Sequence, residues 1–233
     1  MIVIRVDELT AFLTDAGMDQ WGIAACPPSP WPYAPALPFA ISMGIRIEPS
    51  IIAEVENGPT PAYFAEWKRL NAGLRAAAEG LTALLRQRGA TAEPVQPNGS
   101  PDPTLTDWSD ARVFAHKTAA TQAGLGWIGK TALFVSPKLG PRVRLATVFT
   151  DAVLPVGEPI NESRCRSCRR CVDACPAGAG HDVLWRAGMP RDELLDFFAC
   201  ERQNASNIDA VGDICGICIA ACPFGRRQGG GGA

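Results

Sequence analysis

Histidine, net charge and long hydrophobic runs are all scarce in this chain. Its 233 residues include two histidines and carry a formal net charge of −2. This charge gives no overall attraction to nucleic acid, and no apolar run approaches the ~20 residues that a membrane span needs. The N-terminal MIVIRVDELT has no basic flank and soon turns acidic, so it is a poor secretory signal. These absences favour a cytoplasmic globular protein, and the 47% apolar content is ample for a core.

Cysteine is also nearly absent before residue 160, where Cys26 stands alone. The first block after it reads CxxCxxCxxxCP, the bacterial ferredoxin spacing for a [4Fe–4S] cluster. Three thiolates at i, i+3 and i+6 can bind three corners of one cubane, while the fourth, set before proline, points toward a second cluster. The block consists of Cys165, Cys168, Cys171 and Cys175.

A second block supplies the ligands that a second cluster requires. Cys215, Cys218 and Cys222 repeat the CxxC and CxxxCP halves, and Cys200 can supply the fourth thiolate. The crossed ligation of two-cluster ferredoxins then assigns four cysteines to each cubane. The first ligand set is Cys165, Cys168, Cys171 and Cys222, and the second ligand set is Cys175, Cys200, Cys215 and Cys218.

Two other uses of these cysteines compete with the clusters. Structural zinc favours paired CxxC units roughly a dozen or more residues apart, and disulfides suit small secreted chains. Neither explains the prolines that end both blocks or the tripled spacing of the first one. Two [4Fe–4S] clusters are therefore the prediction.

Basic residues surround the cysteine blocks. Their simplest role is partial neutralisation of the negative charge that a four-thiolate cluster carries. The alternative is a docking patch for an acidic electron donor or for an RNA backbone. These residues are Arg164, Arg166, Arg169, Arg170, Arg226 and Arg227.

The chain before the cysteines alternates helix and strand patterns. WGIAA and residues 39–47 are typical of strands, the second with one buried face. Thr60 is the expected N-cap of a long helix that begins at Pro61 and ends at Gly89. A loop over residues 90–110, a helix over 113–123 and strands over 132–136 and 143–150 follow. We expect an α+β fold with domains at 1–155 and 156–227 and a flexible tail at 228–233.

The segment between that helix and the next strand matches two nucleotide-binding patterns. GLGWIGKT fits GxxxxGK[ST], and its glycines fit GxGxxG. Both motifs need a strand before them and a helix after them, and here the order is reversed. Gly124 and Gly126 are expected instead in a helix C-cap with close backbone packing. This tight turn could also line a pocket for another large cofactor.

The stretch HKTAATQAGLGWIGKTALFVSPKLGPRVRLATVFTD, with CRSCRRCVDACPAGA and CGICIAACPFGRR after it, resembles the epoxyqueuosine reductase family. The likeness covers residues 110–225. It implies a cobalamin-dependent iron–sulfur enzyme related to reductive dehalogenases, with a nitroreductase-like domain joined to a ferredoxin-like domain. Electrons would pass from a ferredoxin or flavodoxin type of donor through both clusters to cobalamin, which acts on the substrate.

The resemblance also implies site residues. Asp110 matches the family's catalytic aspartate, a proton donor, with Asp107 as its competitor. No DxHxxG motif occurs, so histidine ligation of that kind is not expected, and His181 is expected at the surface. The residues expected to contact cobalamin are Lys117, Gly124, Gly126, Trp127, Gly129 and Lys130.

The predicted function is reduction of an unidentified substrate, such as a small molecule. The alternatives are a ferredoxin-like carrier that reduces a corrinoid protein, and reduction of epoxyqueuosine in tRNA. Family members continue into helical repeats that hold tRNA, whereas this chain stops ten residues after Pro223, so tRNA is the less expected substrate. Cys26 is expected to be a buried or idle thiol.

Overall fold

The computed structural model describes residues 4–28, 34–95 and 114–226, and these form two compact units. Each unit is discontinuous in sequence. The first contains residues 1–45, 70–125 and 144–160, and the second contains 46–69, 126–143 and 161–233. The predicted domains at 1–155 and 156–227 stay a prediction.

Helices and strands both occur along the described residues, as expected for an α+β fold. The helices are α1 (Val6–Asp15), α2 (Pro49–Ala53), α3 (Pro61–Gln87), α4 (His116–Gln122), α5 (Arg170–Asp173), α6 (Phe197–Ala205) and α7 (Ile217–Ala221). The strands are β1 (Gln20–Ala25), β2 (Phe39–Arg46), β3 (Ala92–Val95), β4 (Trp127–Ile128), β5 (Phe134–Val135) and β6 (Val143–Thr150). Short 3-10 turns lie at Glu54–Asn57 and Arg191–Glu193.

A four-stranded sheet in the order β1-β2-β6-β3 forms the centre of the first unit. β1 pairs antiparallel with β2, and β3 pairs antiparallel with β6. Ile41 on one face joins a core that includes α1 and α3, while Ala40 on the other face packs with α4 and Phe149. Because helices cover both faces, β2 is buried on both, and the predicted single buried face was wrong.

The long helix begins and ends where the sequence predicts. The Thr60 hydroxyl accepts a hydrogen bond from the Tyr63 amide at 3.1 Å, which confirms the N-cap. Gly89 has φ +87° just beyond the helix, and the Ala90 amide donates to the Leu85 carbonyl, so the chain leaves α3 through a Schellman turn. β3 occupies the beginning of the segment predicted as a loop over residues 90–110, and residues 96–113 lie outside the described part.

The glycine-rich segment is confirmed as a helix end and not a phosphate loop. α4 precedes it, and strands β4 and β5 form an antiparallel hairpin within and after it. Gly124 has φ +75°, and the Leu125 amide donates to the Ala120 carbonyl, which is a second Schellman turn. Gly126 is required by close packing, because a Cβ there would lie 2.2 Å from the Val135 carbonyl oxygen.

The second unit contains the eight clustered cysteines in short helices and loops. Glycines allow close packing against the start of α3: a Cβ on Gly216, at φ +85°, would lie 2.5 Å from the Tyr63 ring. Among the helices of the described residues, none is long and apolar enough to cross a membrane.

Candidate iron–sulfur site

The eight cysteines fall into two electrostatic neighbourhoods within the second unit. Burial raises the pKa of Cys171, and the charges of Cys165 and Cys168 raise it further. Burial also raises the pKa of Cys222 to about 11, with Cys171 and Cys165 among its charged neighbours. Cys222, from the end of the second block, therefore lies with cysteines of the first block.

Cys175, the end of the first block, lies with cysteines of the second block. Burial raises the pKa values of Cys200, Cys215 and Cys218, and the charge of Cys175 acts on all three. Cys218 is also influenced by Cys171, so the two ligand sets adjoin. Thiols with raised pKa values hold their protons until a metal replaces them, so cluster binding here would release protons.

Hydrogen-bond donors reach sulfur atoms in both ligand sets. The Trp127 indole Nε1–H donates to Cys165 Sγ at 3.4 Å, and the Thr131 hydroxyl interacts with Cys171. In the second set, the Ala179 amide donates to Cys175 Sγ at 3.4 Å. Such donors stabilise thiolates bound to iron, so the cysteines fit cluster ligands.

No three His, Cys, Asp or Glu side chains in the described ranges converge as ligands of a single metal ion. In a cubane each thiolate binds a different iron atom, so the four sulfurs need not converge on one point.

Arg142 fixes the loop around Cys222. The residue is 4% exposed, and its guanidinium donates to the carbonyls of Phe224 at 2.5 Å, Ala220 at 3.1 Å and Cys222 at 2.7 Å. Backbone also meets backbone at this point, because a Cβ on Gly140 would lie 2.0 Å from the Phe224 carbonyl oxygen. Arg142 carries no signal in the sequence, since no spacing links it to residues some 80 positions later.

Lys130 and Asp182 form a second internal connection. Lys130 Nζ lies 2.6 Å from Asp182 Oδ1, and Arg169 also pairs with Asp182. The hydrogen bond from Lys130 is the main cause that holds the pKa of Asp182 below its ordinary value. Arg169 further pairs with Asp173. These pairs tie the first cysteine block to the hairpin that precedes it.

The residues expected to contact cobalamin occur in both units. Lys117 and Gly124 are half-buried in the first unit. In the second unit, Gly126, Trp127, Gly129 and Lys130 are buried. Trp127 and Lys130 are engaged as described, and a Cβ on Gly129 would lie 3.8 Å from Cys165 Sγ. Cobalamin contact by these residues stays a prediction.

The remaining candidates are distributed as follows. Asp107 and Asp110 lie outside the described residues, so the predicted proton donor stays a prediction. His181 is exposed, as expected, and His116 Nδ1 lies 2.9 Å from Thr147 Oγ1 in the first unit. Cys26 is half-buried beside a cavity of about 390 Å³ lined mainly by proline and alanine.

Arginines around the first block are exposed at residues 164, 166, 169 and 170. The Arg164 guanidinium lies 5.8 Å from the Trp127 ring centroid, and Arg226 pairs with Glu56 at 3.0 Å. Positive charge therefore lies close to the first ligand set. Arg227 lies outside the described residues.

Comparison with known proteins gives a family match over the first cysteine block. Residues 158–179 match the 4Fe–4S binding domain. The chain is 26% identical over 240 residues to the tetrachloroethene reductive dehalogenase of Desulfitobacterium hafniense, covering 95% of this chain and 39% of that protein. It is 40% identical over 123 residues to the epoxyqueuosine reductase of Pseudomonas aeruginosa, covering 50% of this chain and 33% of that protein.

A solved structure shares the fold. It is a reductive dehalogenase whose structure suggests a mechanism for B12-dependent dehalogenation, with a TM-score of 0.75 and 20% identity over 94% of this chain and 32% of that chain. The resemblance inferred from the motifs is confirmed: the chain is an iron–sulfur protein related to reductive dehalogenases and epoxyqueuosine reductases. It spans well under half the length of the relatives described here.

Proposed function

We propose that the chain is an iron–sulfur oxidoreductase that passes electrons through two [4Fe–4S] clusters to a bound corrinoid, which reduces a substrate. The observation that carries the proposal is the exchange of block ends. Cys222 lies with the first block, and Cys175 lies with the second. An exchange of this kind is what the ligation of two-cluster ferredoxins requires, so it supports two adjoining clusters between which electrons could pass.

The corrinoid is proposed from the relatives. One protein of the same fold is a reductive dehalogenase for which a B12-dependent mechanism is suggested, and another relative is an epoxyqueuosine reductase. When bound, a corrinoid would supply the strongly reducing cobalt chemistry that protein side chains lack. On this chain, half-buried Lys117 and Gly124 are the proposed corrinoid contacts in the first unit. In the second unit, Trp127 donates to Cys165 and Lys130 pairs with Asp182.

Reduction of a carbon–halogen bond or an epoxide consumes protons as well as electrons, so the proposal includes a proton donor. Asp110 is the candidate, on its match to the family motif. The Asp110→Asn variant should keep both clusters and corrinoid reduction and lose substrate turnover. Retained turnover would remove Asp110 from this role.

The deciding experiment tests clusters and corrinoid separately. Protein purified without oxygen should contain about eight iron and eight sulfide per chain, as two cubanes require. Hydroxocobalamin and a strong low-potential reductant are then added, and the visible spectrum is followed. Retention of the corrinoid by the protein after gel filtration, with the spectrum of the reduced cobalt form, supports the proposal.

Other outcomes are equally informative. Full iron and sulfide without corrinoid binding would leave an electron carrier of the ferredoxin type, the main alternative. About four iron per chain would contradict the second cluster.

Identity of 40% with an epoxyqueuosine reductase favours a second candidate, reduction of that modified base in tRNA. Binding of a tRNA stem loop should then weaken steeply with salt, because phosphate contacts release counterions. Binding that does not change with salt would contradict this candidate.

A further inference from the structure

The side-chain environment of the two ligand sets is asymmetric. Trp127 and Thr131 are side-chain donors that reach cysteine sulfurs of the first set. Both residues come from segment 126–143, which belongs to the second unit although it precedes the cysteine blocks by more than 20 positions. The same segment contributes buried Arg142, which donates to the Cys222 carbonyl at 2.7 Å.

Backbone amides serve both sets, since the Phe224 amide acts on Cys222 of the first set, but an opposing charge lies beside the second set. The amides of Ala179 and Ile217 act on Cys175 and Cys215. The carboxylate of Glu201, directly after Cys200, adds negative charge beside that ligand. Segment 126–143 therefore adds donors and positive charge at one cluster position while the other keeps a carboxylate neighbour.

These differences act on reduction potential in one direction. Adding an electron makes a cluster more negative, so hydrogen bonds to its sulfurs and nearby cations stabilise the reduced state. The Arg142 guanidinium and the Trp127 N–H both have this effect, and a carboxylate has the opposite one.

We infer that the cluster on Cys165, Cys168, Cys171 and Cys222 has the more positive potential and is where electrons accumulate. This inference rests on the two-cluster arrangement proposed above. An external one-electron donor of low potential reduces the second cluster. That cluster is reoxidised as it passes the electron to the first cluster, which is reduced by one electron. Electron entry is thus assigned to the second ligand set and exit to the first.

The test is a redox titration of the anaerobic, cluster-loaded protein followed by electron paramagnetic resonance. It compares the parent with Trp127→Phe, which removes the N–H and keeps an aromatic ring. Trp185→Phe is the matched control, because Trp185 is a buried tryptophan of the same unit. Loss of one hydrogen bond should lower the ratio of reduced to oxidised first cluster by up to roughly tenfold at a given potential, which is ~59 mV for one electron.

The shift itself shows which midpoint potential belongs to the first cluster. Trp127→Phe should move the more positive of the two midpoints to lower potential and leave the other unchanged, while Trp185→Phe moves neither. Thr131→Val should shift the same midpoint in the same direction. A shift confined to the more negative midpoint, or no shift in either variant, overturns the inference. A single cluster by iron and sulfide analysis would instead contradict the proposed two-cluster function.

Discussion

The Lys130 ammonium lies 2.6 Å from the Asp182 carboxylate, and only 4% of the Lys130 side chain is exposed, against 31% for Asp182. Removing one charge from such a pair has unequal consequences. Loss of the carboxylate leaves a buried cation without its counter-charge, whereas loss of the ammonium leaves a carboxylate that still pairs with Arg169.

The Asp182→Asn variant should therefore lower the melting temperature more than Lys130→Met. Asparagine suits this position, because Asp182 has φ +60° and asparagine tolerates that conformation. The double variant should recover part of the loss, since it no longer contains the buried cation. Thermal unfolding of the cluster-loaded proteins without oxygen measures all three. Equal decreases in melting temperature in the two single variants would contradict the idea that buried Lys130 needs the Asp182 carboxylate.

The stability difference between parent and Asp182→Asn should not change between pH 6 and pH 8. Lys130 holds the pKa of Asp182 below its ordinary value of 3.8. A lowered carboxyl pKa adds stability above the unfolded-state pKa, and this is lost only as pH falls through the folded-state value. Both values lie far below pH 6. Melting temperatures at pH 6, 7 and 8 check this, and a difference that shrinks at pH 6 would be inconsistent with it.

Arg142→Met should release iron from the first cluster position. Three backbone carbonyls lose a buried charged donor, and one such loss alone costs about 1 to 3 kcal/mol of stability. The Cys222 loop should then loosen, and iron content should fall toward about four per chain, as one cubane requires. Arg144→Met is the control, because Arg144 donates to the Asn71 side chain in the first unit. Equal iron loss in both variants would argue against a specific role of Arg142.

The parts predicted from sequence are those specified by local rules. Cysteine spacing, the Thr60 cap and the order of elements around Gly124 depend on residues within a few positions of one another. The roles of Trp127 and Arg142 depend on contacts tens of positions away, and neither residue is unusual in its local context. Trp127 was expected at a cofactor, and the structure places its N–H on Cys165.

The strands show the same division. The alternation in residues 39–47 identified β2, but its small residues Ala40 and Gly44 also suit a second packed face. Periodicity cannot distinguish small residues that are exposed from small residues that pack under a helix. β3 was missed because Pro94 lies within it and proline usually argues against a strand. β3 is an edge strand, next to β6, where proline is tolerated.

Gly124→Ala should destabilise the first unit, whereas Gly73→Ala should stabilise it. Gly124 has φ +75°, and an added Cβ would lie 2.5 Å from the Glu158 carbonyl oxygen, so strain and overlap together should cost about 2 kcal/mol or more. Gly73 lies in α3 with open space around it, and alanine there should add about 0.5 to 1 kcal/mol. Chemical denaturation of both variants gives the sign. A neutral Gly124→Ala would mean that the α4 turn does not require glycine.

Cys26 should react slowly with iodoacetamide near neutral pH and should not be needed for iron binding. Burial raises the pKa of its thiol to about 11, so only about one thiol in a thousand is ionised at pH 8. In the cluster-loaded protein, labelling of Cys26 should accelerate nearly tenfold per pH unit between pH 8 and pH 10, because the thiolate is the reactive form. Mass spectrometry of the labelled peptide measures this rate. Cys26→Ser should keep full iron and sulfide, whereas Cys165→Ser should lose iron. Rapid labelling at pH 8 would contradict the raised pKa of Cys26. Iron loss in Cys26→Ser would contradict the assignment of all cluster ligands to the other eight cysteines.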